Sequence, residues 1–418
     1  MRASTVTFLL TGTLIFVLSG VIAHAQTVDL TDNYNLSYRS LEKREPLKLG
    51  SFKAGGDAGV AGGYSDNVNN SAFNREEGGF ISSLASLWLS SDWDDHALSF
   101  SGFVKSDNFP TNSEADEIFA RVFAYGRLDL PENFQFELVG SYVLDEQARG
   151  DINEPFNPNR SSSDQEFDAR AFLTKSFGDL AVTLRSGVRR NLNENVFANA
   201  GFSLNRDDEN SFLYDFRLRG SLNLGNKYNA FVEAGYNRWD FDDRFDRNGF
   251  ERGSNGVHAA AGILFYPLKR LRGEIAAGYR GQFFPDAAFD TLVEPTLDAW
   301  VTFAATEKVN LSFIANTFFQ EETNFGGAGT LGRSFFLQVD YRARDRLRLF
   351  GKLAFLNEDE FRPDSNPNWT QRTTAGLDFE LAPHLFMTAQ YEREDFLAGF
   401  QNGDYSENRF LLGLTVSR

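Results

Sequence analysis

The sequence predicts an all-β fold, a transmembrane antiparallel up-and-down β-barrel of about 18 strands, within a range of about 16 to 18. Three observations lead to this prediction. Polar and apolar residues alternate over unusually long stretches, the connections between those stretches alternate between short and long, and the N-terminus resembles a secretion signal. The length of 418 residues suits one large barrel or two to three soluble domains, so the residue pattern decides between them.

The first 25 residues are predicted to be a cleaved signal peptide. Arg2 provides a basic start, residues 8–22 are apolar, and Ala23-His24-Ala25 matches an A-x-A cleavage site. Residues 26–49 are polar and irregular, which indicates a periplasmic lead-in, and residues 50–418 are assigned to the barrel. Since no later run of 18 residues is apolar, we do not expect the mature chain to enter a membrane through helices.

The clearest strands lie between Leu213 and Trp239. Apolar residues and glycine occupy every second position from 214 to 224, and the residues between them include Arg217 and Arg219. This period of two continues for about 11 residues on each side of a turn at 225–227, close to the about 9 to 11 residues of a tilted membrane strand. Similar stretches predict strands centred near 58, 86, 102, 123, 138, 171, 185, 218, 232, 262, 277, 299, 314, 338, 351, 376, 390 and 412.

The lengths of the connections support a membrane barrel over a soluble β-sandwich. Short connections occur at 130–133, 177–179, 225–227, 267–269, 305–307, 344–345 and 382–384, and they alternate with long ones at 144–164, 191–211, 240–255, 284–291, 320–331, 357–369 and 396–404. Outer-membrane barrels have short periplasmic turns and longer extracellular loops. A soluble sandwich has no reason to sort its connections in this way, and an even strand count places both ends of the barrel on the periplasmic side.

Composition excludes several functions. The chain contains no Cys, which excludes a disulfide framework, a thiol nucleophile and a Cys-based metal site. A net charge of −17 argues against nucleic acid as a partner, because phosphate contacts need an excess of Lys and Arg. His258 and nearby Ser254 are the closest approach to a catalytic pair, without a supporting motif, so we predict neither an enzyme nor a bound cofactor.

The polar faces of the strands are expected to line a wet lumen, since a charge facing lipid at mid-span costs about 2 to 4 kcal/mol. The predicted lumen-lining residues are Arg170, Arg185, Arg189, Arg217, Arg219, Glu233, Arg272, Glu274, Arg280, Asp298, Trp300, Asp340, Arg342, Arg348, Arg372 and Asp378. These charges can form a selective conduit for a polar solute, or they can simply pair across the wall. Trp300 and Phe231 can stack on sugar rings, although Trp300 can instead serve packing.

An acidic loop provides a weak candidate for a metal site. Asp240, Asp242, Asp243 and Asp246 are oxygen ligands of the kind that Ca²⁺ prefers, but the loop lacks EF-hand spacing and includes Arg244. A solvated acidic loop is therefore the favoured interpretation. Bridging to lipopolysaccharide through divalent ions is an alternative, and outer-membrane lipid and lipopolysaccharide are the expected surroundings of the barrel.

The last strand, residues 409–418, resembles the C-terminal targeting strand of outer-membrane barrels, so the barrel-assembly machinery is an expected partner. Arg418 stands where that pattern has a terminal aromatic residue. The opening of the barrel provides a second resemblance: LGSF at 49–52, GYSDNV at 63–68 and WDDHAL at 93–98. These segments resemble the putative β-barrel porin 2 family over about residues 45–418.

The family resemblance implies an outer-membrane barrel associated with exopolysaccharide or capsule export, and it implies no catalytic residues. Two alternatives remain open. One is a general or solute-specific diffusion porin, for which the loop at 144–164 or at 191–211 is long enough to form a constriction. The other is a surface-receptor or adhesion barrel with a plugged lumen.

Overall fold

A computed structural model describes residues 46–146, 163–197, 203–225, 227–320, 327, 329–360, 366–399 and 403–418. The predicted signal peptide and nearly all of the predicted lead-in lie outside the described residues, as does most of the predicted loop at 144–164.

The described chain is almost entirely β-structure. Its strands are β1 (Leu47–Leu49), β2 (Phe52–Ser65), β3 (Gly78–Ser91), β4 (Ala97–Asn108), β5 (Glu117–Leu130), β6 (Phe134–Glu146), β7 (Ser163–Phe177), β8 (Leu180–Asn193), β9 (Val196–Phe197), β10 (Ser203–Leu204), β11 (Ser211–Asn223), β12 (Tyr228–Phe241), β13 (Ser254–Leu268), β14 (Leu271–Phe283), β15 (Leu292–Ala304), β16 (Val309–Gln320), β17 (Thr330–Arg344), β18 (Leu347–Glu360), β19 (Asn368–Ala382), β20 (Leu385–Leu397) and β21 (Tyr405–Ser417).

Eighteen of these strands, β2–β8 and β11–β21, form one closed antiparallel barrel. Each strand pairs with its neighbours in chain order, and β2 pairs with β21 to close the sheet. The predicted fold class is thus confirmed, and each of the 18 predicted strand centres falls within one of these strands. Strands β9 and β10 form a separate small hairpin in the connection between β8 and β11.

The period-two pattern sorts side chains between the two surfaces of the wall. Leu218 and Val232 are 55% and 64% exposed on the outer surface, whereas Arg217 and Glu233 of the same two strands are buried on the inner surface. The exposed outer positions are mainly leucine, valine and aromatic residues, as a surface facing lipid requires. The buried inner positions are mainly charged and polar.

The connections between strands alternate between short and long along the barrel, as predicted. Short turns such as 178–179, 269–270 and 345–346 alternate with longer loops such as 242–253 and 284–291. Within the described ranges, the helical segments are 3₁₀ turns at Ser113–Ala115, Pro131–Asn133 and Asp207–Glu209. Among the residues described, no helix has the length and apolar character needed to cross a bilayer.

The start of the barrel is more ordered than the sequence suggests. Leu47–Leu49, at the end of the predicted irregular lead-in, pair with residues 52–54 of β2. Strand β21 covers the same edge of β2 only from Asp57 to Ser65, so β1 occupies the edge that β21 leaves free. The backbone groups of that edge need partners, and β1 supplies them.

Residues of the GYSDNV segment hold the barrel closed at the long-loop end. The Asp66 carboxylate accepts hydrogen bonds from the backbone and side-chain nitrogens of Asn408, each at 2.7 Å. Asn67 is fully buried, and its amide donates to the carbonyl of Ser406 at 3.0 Å. Ser65 Oγ donates to Glu407 at 2.6 Å. We call these three residues, Ser65 to Asn67, the seam latch.

Candidate functional site

The charged interior of the barrel is the candidate site. The register of the strands places the predicted lumen-lining residues on the inner surface of the wall. They divide into two ion-pair clusters and a small group outside both. The first cluster comprises Arg170, Arg185, Arg189, Arg217, Arg219, Glu233 and Glu274, and the second comprises Asp340, Arg348, Arg372 and Asp378. The remaining residues are Arg272, Arg280, Asp298, Trp300 and Arg342.

The first cluster is centred on Arg217. This arginine lies 3.2 Å from Asp215 and 3.2 Å from Glu233, and Arg185 on the next strand lies 3.1 Å from Asp215. Arg217 and Arg185 are opposite each other in the ladder between β8 and β11. The two arginines are stable side by side because the carboxylates of Asp215 and Glu233 lie between and beside them.

One arginine extends this cluster across three strands. Arg219 of β11 donates to Glu233 of β12 at 2.9 Å and to Glu274 of β14 at 3.2 Å. To reach Glu274 it passes over β13, where the inward residues Ala260 and Gly262 are small. Its guanidinium lies 3.9 Å from the centre of the Phe231 ring, which is within range of a cation–π contact.

A glycine beneath Phe231 makes this arrangement possible. A Cβ on Gly262 would come within 2.4 Å of the Phe231 ring, so the ring lies directly on the backbone of β13. Phe231 is thus buried between Gly262 and Arg219, which contradicts the hypothesis that it stacks on a sugar. Trp300 faces the interior opposite Glu274, and its contact with sugar stays a prediction.

A third part of the first cluster lies on β7 and β8. The Asp168 carboxylate accepts hydrogen bonds from Arg170 at 2.6 Å and from Arg189 at 3.4 Å, and Arg189 also lies 3.1 Å from Glu166. Each cation of the cluster therefore has a carboxylate within ion-pair distance. Of the two interpretations of these charges, this arrangement matches direct pairing along the wall.

The second cluster lies on β17–β20. Arg348 donates to Asp340 at 3.0 Å and to Asp378 at 2.8 Å, and all three groups are buried. Arg372 donates to Glu394 at 2.7 Å and lies 3.8 Å from Glu392. This side of the interior repeats the arrangement of the first cluster, with each arginine held between two carboxylates.

The remaining lumen-lining residues make fewer ionic contacts. Arg272 donates to Thr302 Oγ1 at 3.1 Å, and Asp298 accepts from the Thr317 backbone at 3.4 Å. Arg280 lies opposite His258, and within the described part of the chain its Nε has no hydrogen-bond partner. Arg342 faces the interior opposite Arg348.

Three of the four acidic loop residues are bound by arginines. Asp242 pairs with Arg190 at 2.7 Å, and Asp240 accepts from Arg238 at 3.4 Å. Asp246 is buried and accepts from Arg252 Nε at 2.7 Å. Asp243 is exposed in the same loop. Among the residues described, no three His, Asp or Glu side chains are grouped as a metal site would require.

Salt links join neighbouring long loops at the mouth of the barrel. Arg247 donates to Asp208 at 2.6 and 2.9 Å, which connects the loop before β13 to the loop before β11. Burial alone would raise the pKa of Asp208, but hydrogen bonds from Arg247 outweigh burial and hold this pKa below its ordinary value. Backbone N–H groups of Ala288 and Glu251 similarly lower the pKa of Asp286.

Arg252 is the most enclosed of these loop arginines, and the sequence analysis did not identify it. Its guanidinium is bound by Asp246 and by the carbonyl of Gly327, and it lies 5.0 Å from the centre of the Phe289 ring. Arg252 therefore joins three loops. The only signal in the sequence is one arginine in a glycine-containing loop, which does not distinguish it from Arg244 or Arg247.

A family model described as “Putative beta-barrel porin 2” matches residues 46–418 of this chain. Among curated proteins, no match is found. Solved structures with similar architecture include a mutant of the ferric enterobactin receptor PfeA from Pseudomonas aeruginosa, with 10% identity, 87% of this chain and 80% of that chain covered, and a TM-score of 0.42.

Two further solved structures are similar in the same broad sense. The siderophore receptor PiuA from Acinetobacter baumannii has 9% identity, covers 89% of this chain and 82% of that chain, and has a TM-score of 0.42. A bacterial polysaccharide outer membrane secretin is 9% identical in sequence. The match covers 87% of this chain and 98% of that chain, with a TM-score of 0.34.

Proposed function

Because this chain belongs to the putative beta-barrel porin 2 family and is a porin-like outer-membrane β-barrel, we propose that it is a conduit for exopolysaccharide or capsular polysaccharide. In this proposal the polymer passes along the barrel axis, from the short-turn end in the periplasm to the long-loop end outside the cell. Outer-membrane lipid and lipopolysaccharide surround the barrel, and the assembly machinery of the outer membrane inserts it.

The observation that carries the proposal is that large inner side chains such as Arg217 and Phe350 pack on glycines of the neighbouring strand. Arg217 lies on Gly235, where a Cβ would come within 2.9 Å of its Cγ, and Phe350 lies on Gly376, where a Cβ would come within 2.3 Å of the ring. Barrels of about 16 to 18 strands are wide enough to leave an aqueous channel. Side chains that lie flat on neighbouring glycines preserve that width.

The chemistry of the inner surface suits a long polar molecule. Its arginines and carboxylates are mostly paired, so a passing solute does not meet a row of uncompensated charge of one sign. Half-buried amide and hydroxyl groups such as Asn310 and Ser312, which lie opposite Asp340 and Gln338 on the inner surface, can exchange hydrogen bonds with sugar hydroxyls. A weakly binding surface of this kind lets a polymer enter and leave.

A deletion strain provides the decisive experiment. Loss of the gene is expected to abolish or strongly reduce secreted polysaccharide while uptake of small solutes stays normal, and a plasmid copy should restore secretion. Normal secretion together with impaired uptake of a small solute would overturn the polysaccharide function and indicate a diffusion porin.

A solute-specific diffusion porin is the second candidate, and the ordered loops at the mouth favour it. Arg252 and Arg247 tie neighbouring loops together, which suits a mouth of fixed size. Conductance of the purified protein in a planar bilayer tests both channel functions. A correctly folded barrel without conductance would contradict both and would support the plugged surface receptor.

A further inference from the structure

The short-turn end of the barrel is basic on one side. Four consecutive hairpins, β11–β12, β13–β14, β15–β16 and β17–β18, have exposed cations at their turns or at the adjoining strand ends. These cations are Lys227, Lys269, Arg270, Lys308, Arg344 and Arg346. Within the described residues, the carboxylates of the same turns are Glu307 and Asp345, so this side of the rim has a net positive charge.

One cation of each hairpin occupies an equivalent position in the sheet. Its backbone carbonyl accepts the N–H of a residue on the following hairpin, at 2.8 to 2.9 Å. We call these four residues the basic arc: Lys227, Arg270, Lys308 and Arg346. On the hairpins before and after them, the same position holds Asp179 and His384. Since neighbouring strands lie about 4.8 Å apart, the backbones of consecutive arc residues are about 10 Å apart.

The charge of the basic arc is poorly compensated by carboxylates. Arg270 lies 3.7 Å from Glu307, and this pair is exposed to water, which weakens it. For Lys227, Lys308 and Arg346, no carboxylate in the described part of the chain lies within ion-pair distance. The arc therefore keeps most of its charge for a ligand.

The opposite side of the same rim compensates its own charges. Three ion pairs form there, between Lys53 and Asp92, between Arg127 and Asp129 at 3.0 Å, and between Lys175 and Glu132 at 3.8 Å. Exposed Asp94, Asp95 and Asp179 add negative charge to this side. An anion that approaches the short-turn end is thus directed toward the basic arc.

The position and spacing of the arc indicate the kind of anion. Lipid phosphates of the inner leaflet surround a barrel on all sides, so they do not explain cations on four consecutive hairpins. A small anion needs donors that converge on one point, whereas the arc residues are about 10 Å apart along the rim. A chain with repeated negative charges can contact several of them at once, which strengthens its binding.

Arg342 continues the positive charge from the arc into the lumen. Its N–H donates to the carbonyl of Lys308, and its side chain lies on the inner surface opposite Arg348. Arg348 is held between Asp340 and Asp378, whereas Arg342 makes no ion pair with the carboxylates described. A negatively charged chain on the arc therefore meets a further cation inside the barrel, where a protein docked on the rim would not reach.

We propose that the basic arc binds an acidic polysaccharide, whose sugar units carry carboxylate or other anionic groups, at the entrance of the lumen. This inference rests on the proposed conduit function and names the class of polymer. The paired charges further inside suit such a polymer, because a chain that is attracted at the entrance and held weakly beyond it can move on.

Binding can be measured with the whole barrel in nanodiscs, which leave both of its ends accessible. The probes are polygalacturonate, which is acidic, and dextran of equal length, which is neutral. We expect the unmodified protein to bind polygalacturonate at least about tenfold more tightly than dextran, with a difference that shrinks at high salt. The variant K227Q/R270Q/K308Q/R346Q should lose about tenfold or more of its affinity for polygalacturonate.

A matched variant removes four exposed cations from the long-loop end. This variant, R75Q/R238Q/R244Q/R393Q, should bind polygalacturonate as the unmodified protein does. Equal weakening by both variants, each folded by its heat-modifiable gel mobility, would overturn the proposal. Equal affinity of the unmodified protein for polygalacturonate and dextran would overturn it as well.

Complementation of a deletion strain separates this inference from the conduit function. The arc variant is expected to restore little secretion, and the long-loop variant should restore it fully. Full restoration by the arc variant would overturn the acidic polymer and leave the conduit function standing, whereas normal secretion without the gene would overturn both. Poor secretion by an arc variant that still binds polygalacturonate normally would also contradict the proposal, and would indicate an acidic periplasmic protein as the ligand of the arc.

Discussion

Ion pairs on the inner surface of the barrel contribute differently to stability from those on its outer surface. The inner groups are buried from water and depend on each other for charge compensation. Arg348 is buried between Asp340 and Asp378, so the variant R348M would leave two buried carboxylates without their counter-charge. Breaking such a group typically costs about 3 to 5 kcal/mol. We expect R348M to lower the urea midpoint of the folded barrel strongly, as measured by the heat-modifiable band on gels.

The exposed pair Arg393–Asp395 is the matched control for this prediction. Arg393 is 45% exposed at its side chain, and exposed pairs contribute about 0 to 1 kcal/mol. R393M should therefore leave the urea midpoint nearly unchanged. A similar small effect for R348M would mean that water reaches the second cluster freely.

Glycines on the inner surface determine how side chains lie along the wall. A methyl group on Gly262 would meet the Phe231 ring at 2.4 Å and the backbone oxygen of Ile275 at 2.5 Å. Overpacking of this kind costs about 1 to 3 kcal/mol. We expect G262A to destabilise the barrel by this amount in urea titrations, and G220A, whose new Cβ would have no atom within 4 Å, to have little effect. Equal effects would show that the ring moves aside at no cost.

At the scale of strands and loops, the sequence predicts what depends on neighbours in the chain. Period-two alternation locates the strands, and residues such as Leu218 and Arg217 are assigned to opposite surfaces by parity alone. The contact of Phe231 with Gly262 depends on the register of two strands, which parity does not provide. The hydrogen bonds between Thr317 and Leu297, which replace backbone pairing beyond the Ala299–Ala315 pair, likewise depend on register, and only Pro295 hints at them.

The two surfaces of β11 allow a direct test of strand orientation. Leu218 is exposed on the outer surface, and Ser221 lies on the inner surface opposite Phe231. A charge facing lipid costs about 2 to 4 kcal/mol near mid-span. L218R should thus reduce insertion into lipid vesicles, whereas S221R should insert normally, with insertion measured by protection from protease. The reverse result would show that β11 faces the other way.

The link between Arg247 and Asp208 makes the order of two loops dependent on pH. The folded-state pKa of Asp208 is lower than the about 3.9 of an unfolded chain, so the carboxylate stabilises the folded loops above that value. This contribution is lost as the pH falls through the lowered pKa. D208N should reproduce the loss at pH 7, seen as faster tryptic cleavage after Arg247. D243N serves as the control, because Asp243 is an exposed carboxylate in the loop that contains Arg247. Identical cleavage of D208N and D243N would refute the stabilising role of the Arg247–Asp208 contact.

For the molecule as a whole, closure of the barrel is the step that joins the two ends of the chain. Asp66 and Asn408 are separated by 342 positions, so their contact forms only when the sheet is complete. The nine pairs between β2 and β21 form a shorter ladder than the fourteen between β2 and β3. The seam latch therefore adds side-chain hydrogen bonds where the backbone ladder is short.

Removing one amide of the seam latch should weaken closure of the whole barrel. In N67A the carbonyl of Ser406 loses its buried donor, and an unmade buried hydrogen bond costs about 1 to 3 kcal/mol. We expect N67A to refold into vesicles more slowly and to unfold at lower urea, with β21 cut earlier by protease. N69A is the control, because the Asn69 side chain bonds only to residues of its own loop, Asn74 and Glu76, among the contacts described. If N67A folds as fast and as stably as N69A, the backbone ladder alone closes the barrel, and the GYSDNV segment has another role.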